Sequence, residues 1–166
     1  MPWKGSTMRP LVRPMVTKDK PAIMQILHST PEFLPAEVVV AEELIDAYLE
    51  ESWESGYHTF VAETEGAVAG YICYGPTPLT EGTWDIYWMA VAPEKQGRGL
   101  GGALLSFAED RIREDHGRLA FIETSSKPEY EKTRRFHRSQ GYELVCQIDD
   151  FYAPGDAKLI LRKRLL

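Results

Sequence analysis

The stretch from Trp88 to Leu105, WMAVAPEKQGRGLGGALL, constrains the fold more than any other part of the chain. An apolar run is followed by a proline turn, a glycine-rich loop and an apolar pattern with helical spacing. Because glycines have no Cβ atom, the backbone N–H groups of such a loop can approach a ligand closely. The first N–H groups of a helix have no intrahelical partner and lie at the positive end of its dipole. The stretch therefore predicts a strand, a phosphate-binding loop and a helix in succession.

Two common phosphate-binding motifs do not fit this loop, which contains Gly97, Gly99, Gly101 and Gly102. No Gly-Lys-Ser/Thr ends it, as the P-loop of nucleotide hydrolases requires. The dinucleotide fingerprint should open a βαβ unit, whereas here a large region precedes the loop. The alternative to a phosphate site is a purely structural role, as a flexible connection from strand to helix.

Length, charge and cysteine positions exclude several classes of protein. The chain of 166 residues has the size of one domain, and its formal net charge of -6 disfavours nucleic acid as a partner. Residues 1–10 lack the apolar core of a signal peptide, and we expect a flexible extension there before a single domain at 11–166. No run of about 18 apolar residues is present, which favours a cytoplasmic protein without membrane contact. Cys73 and Cys146 have no metal-ligand spacing, so we expect no metal and two buried, reduced thiols.

Hydrophobic periodicity predicts the order of the elements. Helices are expected to begin near residues 21, 36 and 101. The apolar run at 119–123 is typical of a strand that is buried on both faces, and we expect it to be parallel to the strand before it. The predicted strands cover residues 11–16, 59–63, 68–74, 84–91, 119–123, 144–148 and 158–164. The buried face of the second helix is expected to carry Val39, Val40, Leu44, Ile45 and Tyr48.

The glycine-rich loop resembles the acyl-CoA binding motif of the GNAT N-acetyltransferases, Arg/Gln-x-x-Gly-x-Gly/Ala. Gln96, Gly99 and Gly101 occupy its three fixed positions. Residues 90–93 resemble the end of that family's fourth strand, and residues 136–142 resemble its last helix and strand. The resemblance implies a mixed α/β (α+β) fold: a central sheet of about seven strands, four flanking helices, and a splay between strands 4 and 5.

The resemblance also implies a function. GNAT enzymes move an acetyl group from acetyl-CoA to a primary amine by direct attack in a ternary complex; a non-catalytic module that binds or senses acyl-CoA is the alternative. In this family the pantetheine amides pair with the backbone of the fourth strand, and Tyr130 stands where many members carry an asparagine that contacts the cofactor. The residues implied to bind acetyl-CoA are Met89, Val91, Gln96, Gly97, Arg98, Gly99, Leu100, Gly101, Gly102 and Tyr130.

A general base is the first catalytic requirement. An alkyl amine with a pKa near 10.4 is protonated at pH 7, and removing that proton costs about 4.6 kcal/mol. Asp85 matches the position of the glutamate base in histone-acetylating members of the family, and Glu123 ends the fifth strand, so both are candidate bases. For each residue, the alternative is a solvated or ion-paired carboxylate at a strand end.

A proton donor for the thiolate leaving group is the second requirement. The family's last helix carries Phe-Tyr-x-x-x-Gly-Phe, but here His137 follows Phe136 and replaces the tyrosine. An imidazolium can donate a proton near neutral pH, so His137 is a candidate acid. Alternatively His137 only packs, and Tyr152 or Tyr130 supplies the proton or none is needed.

The acceptor is expected to be a small-molecule or peptide amine, whose identity the sequence does not reveal. In the family that this chain resembles, the first two helices and their connection line the acceptor side, so His28 and Phe33 are candidate substrate contacts. Asp150 precedes a Pro-Gly turn and is a third candidate, since a carboxylate can bind a cationic amine. A capped helix end, a packed aromatic ring and a solvated turn are the respective alternatives. A homodimer is also considered.

Overall fold

The computed structural model describes residues 9–166, and within that range the chain forms seven strands and four α-helices. The predicted extension at residues 1–10 lies almost entirely outside the described residues. The strands are β1 (Leu11–Pro14), β2 (His58–Thr64), β3 (Ala67–Pro76), β4 (Thr83–Val91), β5 (Leu119–Ser125), β6 (Glu143–Ala153) and β7 (Asp156–Arg164). The helices are α1 (Lys20–Ser29), α2 (Pro35–Glu51), α3 (Leu100–Glu114) and α4 (Glu131–Ser139).

All seven strands belong to one mixed sheet, in the order β1-β2-β3-β4-β5-β7-β6. β4 and β5 run parallel, and the other neighbouring pairs are antiparallel. Parallel neighbours need a crossover connection, which α3 provides. The predicted fold class is therefore confirmed. In the part of the chain that the structure describes, no helix is both long and apolar enough to cross a membrane.

Helices cover the two faces of the sheet and create two hydrophobic cores. On one face, α1 and α2 pack around Ile23 and Ile45. On the other face, α3 packs around Leu104 and Ile112, and Phe136 of α4 lies against the same core. Each large buried side chain contributes about 1.5–3 kcal/mol relative to exposure, so the two cores hold the sheet rigidly between them.

The buried face of α2 differs from the prediction. Val39 is 55% exposed and Val40 is 46% exposed, so their assignment to the core is wrong. The residues that are buried are Val38, Ala41, Ile45 and Tyr48. Spacings of three, four and three residues keep these four on one side of the helix. Val39 and Val40 are turned from Val38 by about 100° and 200°, which leaves two valines facing solvent.

The two cysteines also differ in burial. Cys73 is buried as predicted, but Cys146 is exposed, and that part of the prediction is wrong. Cys146 lies on β6, an edge strand whose residues are exposed along its whole length. Apolar neighbours in the sequence therefore do not ensure burial when the strand lies at the edge of the sheet.

A buried carboxylate ties α3 to the far end of the sheet. Glu109 is only 4% exposed. Its Oε1 accepts a hydrogen bond from the Tyr142 hydroxyl at 3.1 Å, and its Oε2 accepts one from Lys163 Nζ at 2.7 Å. The Tyr142 hydroxyl and the Lys163 ammonium group therefore both have the same buried carboxylate as hydrogen-bond partner.

The Glu109→Gln substitution is expected to lower the free energy of unfolding by about 1–3 kcal/mol, because the partly buried ammonium group of Lys163 loses its counter-charge. Urea denaturation measures the change. Asp110→Asn is the matched control, since Asp110 pairs with Arg113 at 3.0 Å on the exposed side of the same helix. A surface pair contributes less than about 1 kcal/mol. Equal losses in the two variants would contradict a structural role for the buried network.

Candidate active site

The parallel pairing of β4 and β5 stops in the middle of both strands. Ile86 and Ile122 form the last pair, although β4 continues to Val91 and β5 to Ser125. The pairing of β4 with β3 is interrupted by a bulge at Tyr87 and resumes to Val91. Bulges re-aim a strand and occur next to active sites. Beyond Ile86 the two strands therefore separate, as the predicted splay requires.

The peptide groups of Met89 and Val91 face the open gap. The N–H of Ala92 donates to Ala69 O at 2.8 Å, so the peptide groups of Ala92 and Ala90 point toward β3. Peptide groups alternate in direction along an antiparallel strand, which turns those of Met89 and Val91 the other way. In agreement, Gln96 Nε2 donates to Val91 O at 3.3 Å from the side of the gap. The edge of β4 thus offers donors and acceptors to an extended ligand.

The glycine-rich loop leads directly into α3. Gly99 caps the helix in a left-handed conformation with φ of 81°, and Gly97 has φ of 78°, which L-residues adopt only with strain. The first intrahelical hydrogen bond is from Ala103 N to Gly99 O. The N–H groups of Leu100, Gly101 and Gly102 are therefore available to a ligand.

A cavity of about 410 Å³ lies over these N–H groups and runs along the edge of β4. Most of the residues predicted to bind acetyl-CoA line it. They are Met89, Val91, Gln96, Gly97, Gly99, Leu100, Gly101, Gly102 and Tyr130. Arg98 is exposed and does not line this cavity. The cavity also contains Thr30, Lys132, Thr133 and Phe136, which were not assigned from the sequence.

Lys132 supplies the positive charge of this cavity. Its Nζ donates to Gln96 Oε1 at 2.9 Å, which brings the ammonium group beside the glycine-rich loop. An ammonium group next to free helix N–H groups increases the attraction for an anion. Only one signal in the sequence could have indicated this residue, namely the run of basic side chains in α4, and that run does not say which of them faces the loop.

A second cavity, of about 740 Å³, lies on the opposite side of the splay. α2, the ends of β4 and β5, α4 and the β6–β7 turn contribute its walls. Phe33, Met89, Tyr130 and Thr133 line both cavities. The two cavities therefore meet at the gap between β4 and β5, where these four residues are shared.

The two candidate bases occupy different places. Glu123 is the first residue of β5 beyond the last parallel pair, and it lines the larger cavity. Its Oε2 lies 2.8 Å from Lys158 Nζ. Asp85 is still within the paired part of β4, lines neither cavity, and accepts a hydrogen bond from Thr77 Oγ1 at 2.6 Å. The geometry favours Glu123.

The candidate acids differ in protonation and in hydrogen bonding. His137 lines the larger cavity, but burial lowers its pKa to about 4, so its ring is neutral near pH 7 and the alternative in which it packs is favoured over an imidazolium donor. The Tyr130 hydroxyl lies 3.0 Å from Glu37 Oε1 and is engaged there. Tyr152 lines the same cavity, and burial, followed by the charge of Glu123, raises its pKa.

The predicted substrate contacts are only partly brought together. Phe33 packs edge-on against Trp88, with ring centroids 5.3 Å apart, at the junction of the two cavities. His28 is exposed and lines neither cavity. Asp150 accepts a hydrogen bond from Gly155 N at 2.7 Å within the β6–β7 turn and is also outside both cavities. His28 and Asp150 therefore fit their structural alternatives.

An acyltransferase is the class of enzyme that the splayed sheet and its helix start define. The sequence model of the Acetyltransferase (GNAT) family matches residues 21–142, and the chain belongs to this family. The membership predicted from the glycine-rich loop is thereby confirmed.

Individual relatives are similar to different extents. L-amino acid N-acyltransferase MnaT of Escherichia coli (strain K12) is 30% identical over 106 residues, which cover 61% of this chain and 59% of that protein. The match thus spans less than two thirds of MnaT. A crystal structure described as a GNAT-family acetyltransferase from Desulfovibrio desulfuricans is 42% identical, with a TM-score of 0.91 over 95% of this chain and 100% of that one. The yncA protein of Salmonella typhimurium, solved with acetyl-CoA, has a TM-score of 0.77 at 23% identity over 96% and 95% of the two chains, which shows the shared fold.

Proposed function

We propose that this protein transfers an acetyl group from acetyl-CoA to a primary amine, by direct attack in a ternary complex. One observation carries the proposal: a cavity with free helix N–H groups and a second, separate cavity meet at the β4–β5 gap. A donor and an acceptor can therefore enter from opposite sides and react where the cavities join. The acetyl-CoA bound to the Salmonella relative and the N-acyl transfer named for MnaT support this assignment.

On the donor side, the diphosphate of acetyl-CoA would accept hydrogen bonds from Leu100, Gly101 and Gly102, with Lys132 adding charge. The pantetheine amides would pair with Met89 and Val91 along the free edge of β4. Because this edge is fixed by β3 on its other side, the thioester is held in one place. Positioning of this kind converts a bimolecular reaction into an effectively unimolecular one.

On the acceptor side, the amine must arrive without its proton. Glu123 would take that proton, directly or through a water molecule, and the neutral nitrogen would then attack the thioester carbonyl carbon. The C–N bond forms and the carbonyl oxygen gains negative charge beside the β4 backbone. The nitrogen then gives up its second proton to water, and the C–S bond breaks as the carbonyl is restored. Tyr152 is the candidate donor to the departing thiolate, because it lines the larger cavity and a phenol with a pKa of about 10 is protonated at neutral pH.

The experiment combines calorimetric titration with acetyl-CoA and a thiol-release assay over a panel of primary amines. We expect binding of acetyl-CoA and release of CoA thiol that depends on the amine. Binding without turnover on any amine would instead support a sensing module. Failure to bind either acetyl-CoA or CoA would contradict the donor site and the enzymatic assignment together.

A further inference from the structure

Much of the wall of the larger cavity is apolar and carries several aromatic rings. Tyr57 and Tyr87 meet edge to face, with ring centroids 5.4 Å apart, and Phe33 meets Trp88 in the same way. Further large apolar or aromatic side chains of this wall include Leu34, Val40, Leu44, Ile86, Met89, Ile122 and Tyr152. Ligand sites with such walls gain most of their affinity from buried apolar area.

The apolar wall continues outward to a half-exposed rim. Leu34 is 52% exposed and Tyr152 is 49% exposed, yet both line the cavity, as does Val40. Leu34 immediately precedes α2, Val40 lies in its second turn, and the end of β6 supplies Tyr152. An acceptor with an apolar body that reaches this rim would bury all three side chains.

Among the described residues that line the cavity, no cation is left without a carboxylate partner, and Lys158, which lies next to the cavity, is paired with Glu123 at 2.8 Å. The charged side chains that line it are Glu37, Glu123, Asp156 and Lys127. Lys127 Nζ lies 3.6 Å from Asp156 Oδ2, so the lysine already has a carboxylate partner. Glu37 accepts hydrogen bonds from the Leu34 N–H at 2.7 Å and the Tyr130 hydroxyl at 3.0 Å, which satisfy it without a positive charge. The neutral His137 adds no positive charge near pH 7. A carboxylate on the acceptor would enter a region of net negative charge.

From these walls, this rim and these charges, we infer that the acceptor is a small primary amine with an apolar or aromatic body and no carboxylate beside the amine. The inference rests on the proposed function and narrows it. It also separates this chain from an L-amino acid acceptor of the kind named for MnaT, whose α-carboxylate would need a free cation.

Three acceptors test the inference: phenethylamine, L-phenylalanine, which adds a carboxylate to the same skeleton, and ethylamine, which lacks the ring. With rates expressed per unprotonated amine, we expect kcat/KM for phenethylamine to exceed each of the others by about tenfold or more, given about 0.8 kcal/mol per buried CH₂ group. Equal or faster turnover of L-phenylalanine would overturn the inference. If that turnover were then lost in Lys127→Met, Lys127 would be the carboxylate site. If acetyl-CoA binds but no amine reacts, the proposed function fails instead.

A matched pair of variants tests the rim. Val40→Asn is expected to raise KM for phenethylamine several-fold and to leave ethylamine turnover nearly unchanged. Val39→Asn is the control, because Val39 is the adjacent exposed valine of α2 and does not line the cavity. Equal effects of the two variants, or equal effects on the two amines, would contradict contact between the acceptor and the rim.

Discussion

The Gly99→Val substitution is expected to weaken acetyl-CoA binding by about 100-fold, which corresponds to about 2.7 kcal/mol. Gly99 holds φ at 81° where α3 begins, and a side chain in that conformation costs about 1–2 kcal/mol. No atom of the described residues lies within 4 Å of the position that its Cβ would take, so this part of the protein does not obstruct the side chain. The valine methyl groups would instead occupy the space through which the diphosphate reaches the helix N–H groups.

Gly66→Val is the matched control for backbone strain. Gly66 lies in the turn between β2 and β3 and has φ of 78°. Its Cβ position, too, has no neighbour within 4 Å among residues 9–166. Both variants should lose similar thermal stability, but only Gly99→Val should lose affinity in a calorimetric titration with CoA. Native affinity in Gly99→Val would place the diphosphate elsewhere.

The donor site was predictable because its determinants are local in sequence. A strand, a glycine-rich loop and a helix start follow one another between Trp88 and Leu105, and helix geometry alone directs the free N–H groups into the loop. Side chains in the loop were less predictable. Arg98 is exposed and does not line the cavity, whereas Lys132 reaches the loop from α4. A contact between residues so far apart in the chain depends on how α4 packs, which local sequence does not show.

The acceptor side depends on distances that the sequence does not encode locally. Asp85 and Glu123 are both strand carboxylates, and only the end of the β4–β5 pairing at Ile86 decides which of them reaches the gap. The bulge at Tyr87 then changes which β4 side chains face α2, so alternation counted from Trp84 gives the wrong face beyond it. The exposure of Val40 likewise depends on which side of α2 faces the sheet. Three successive valines do not decide this, because any of them could be the buried one.

Glu123→Gln is expected to lower kcat by about 100-fold at pH 7, with little change in CoA affinity, because a positioned general base contributes about 10²–10⁴ in rate. Without the base, the rate should follow the fraction of unprotonated amine, which rises about tenfold per pH unit below an amine pKa near 10.4. The difference between variant and native enzyme should therefore shrink as the pH rises. Initial rates of thiol release between neutral and alkaline pH measure this.

Two further variants make the result specific. Glu143→Gln removes another exposed strand carboxylate paired with a cation, Arg162 at 2.7 Å, but lies outside both cavities, so it should keep native rates. Asp85→Asn tests the competing candidate, whose bond to Thr77 holds it below the splay. If Asp85→Asn rather than Glu123→Gln lowers kcat at neutral pH and regains it at alkaline pH, Asp85 accepts the proton of the amine and the role proposed for Glu123 is wrong. If neither does, the amine binds already neutral, and the apolar wall of the acceptor cavity, which disfavours a charged ammonium group, is the feature that selects it.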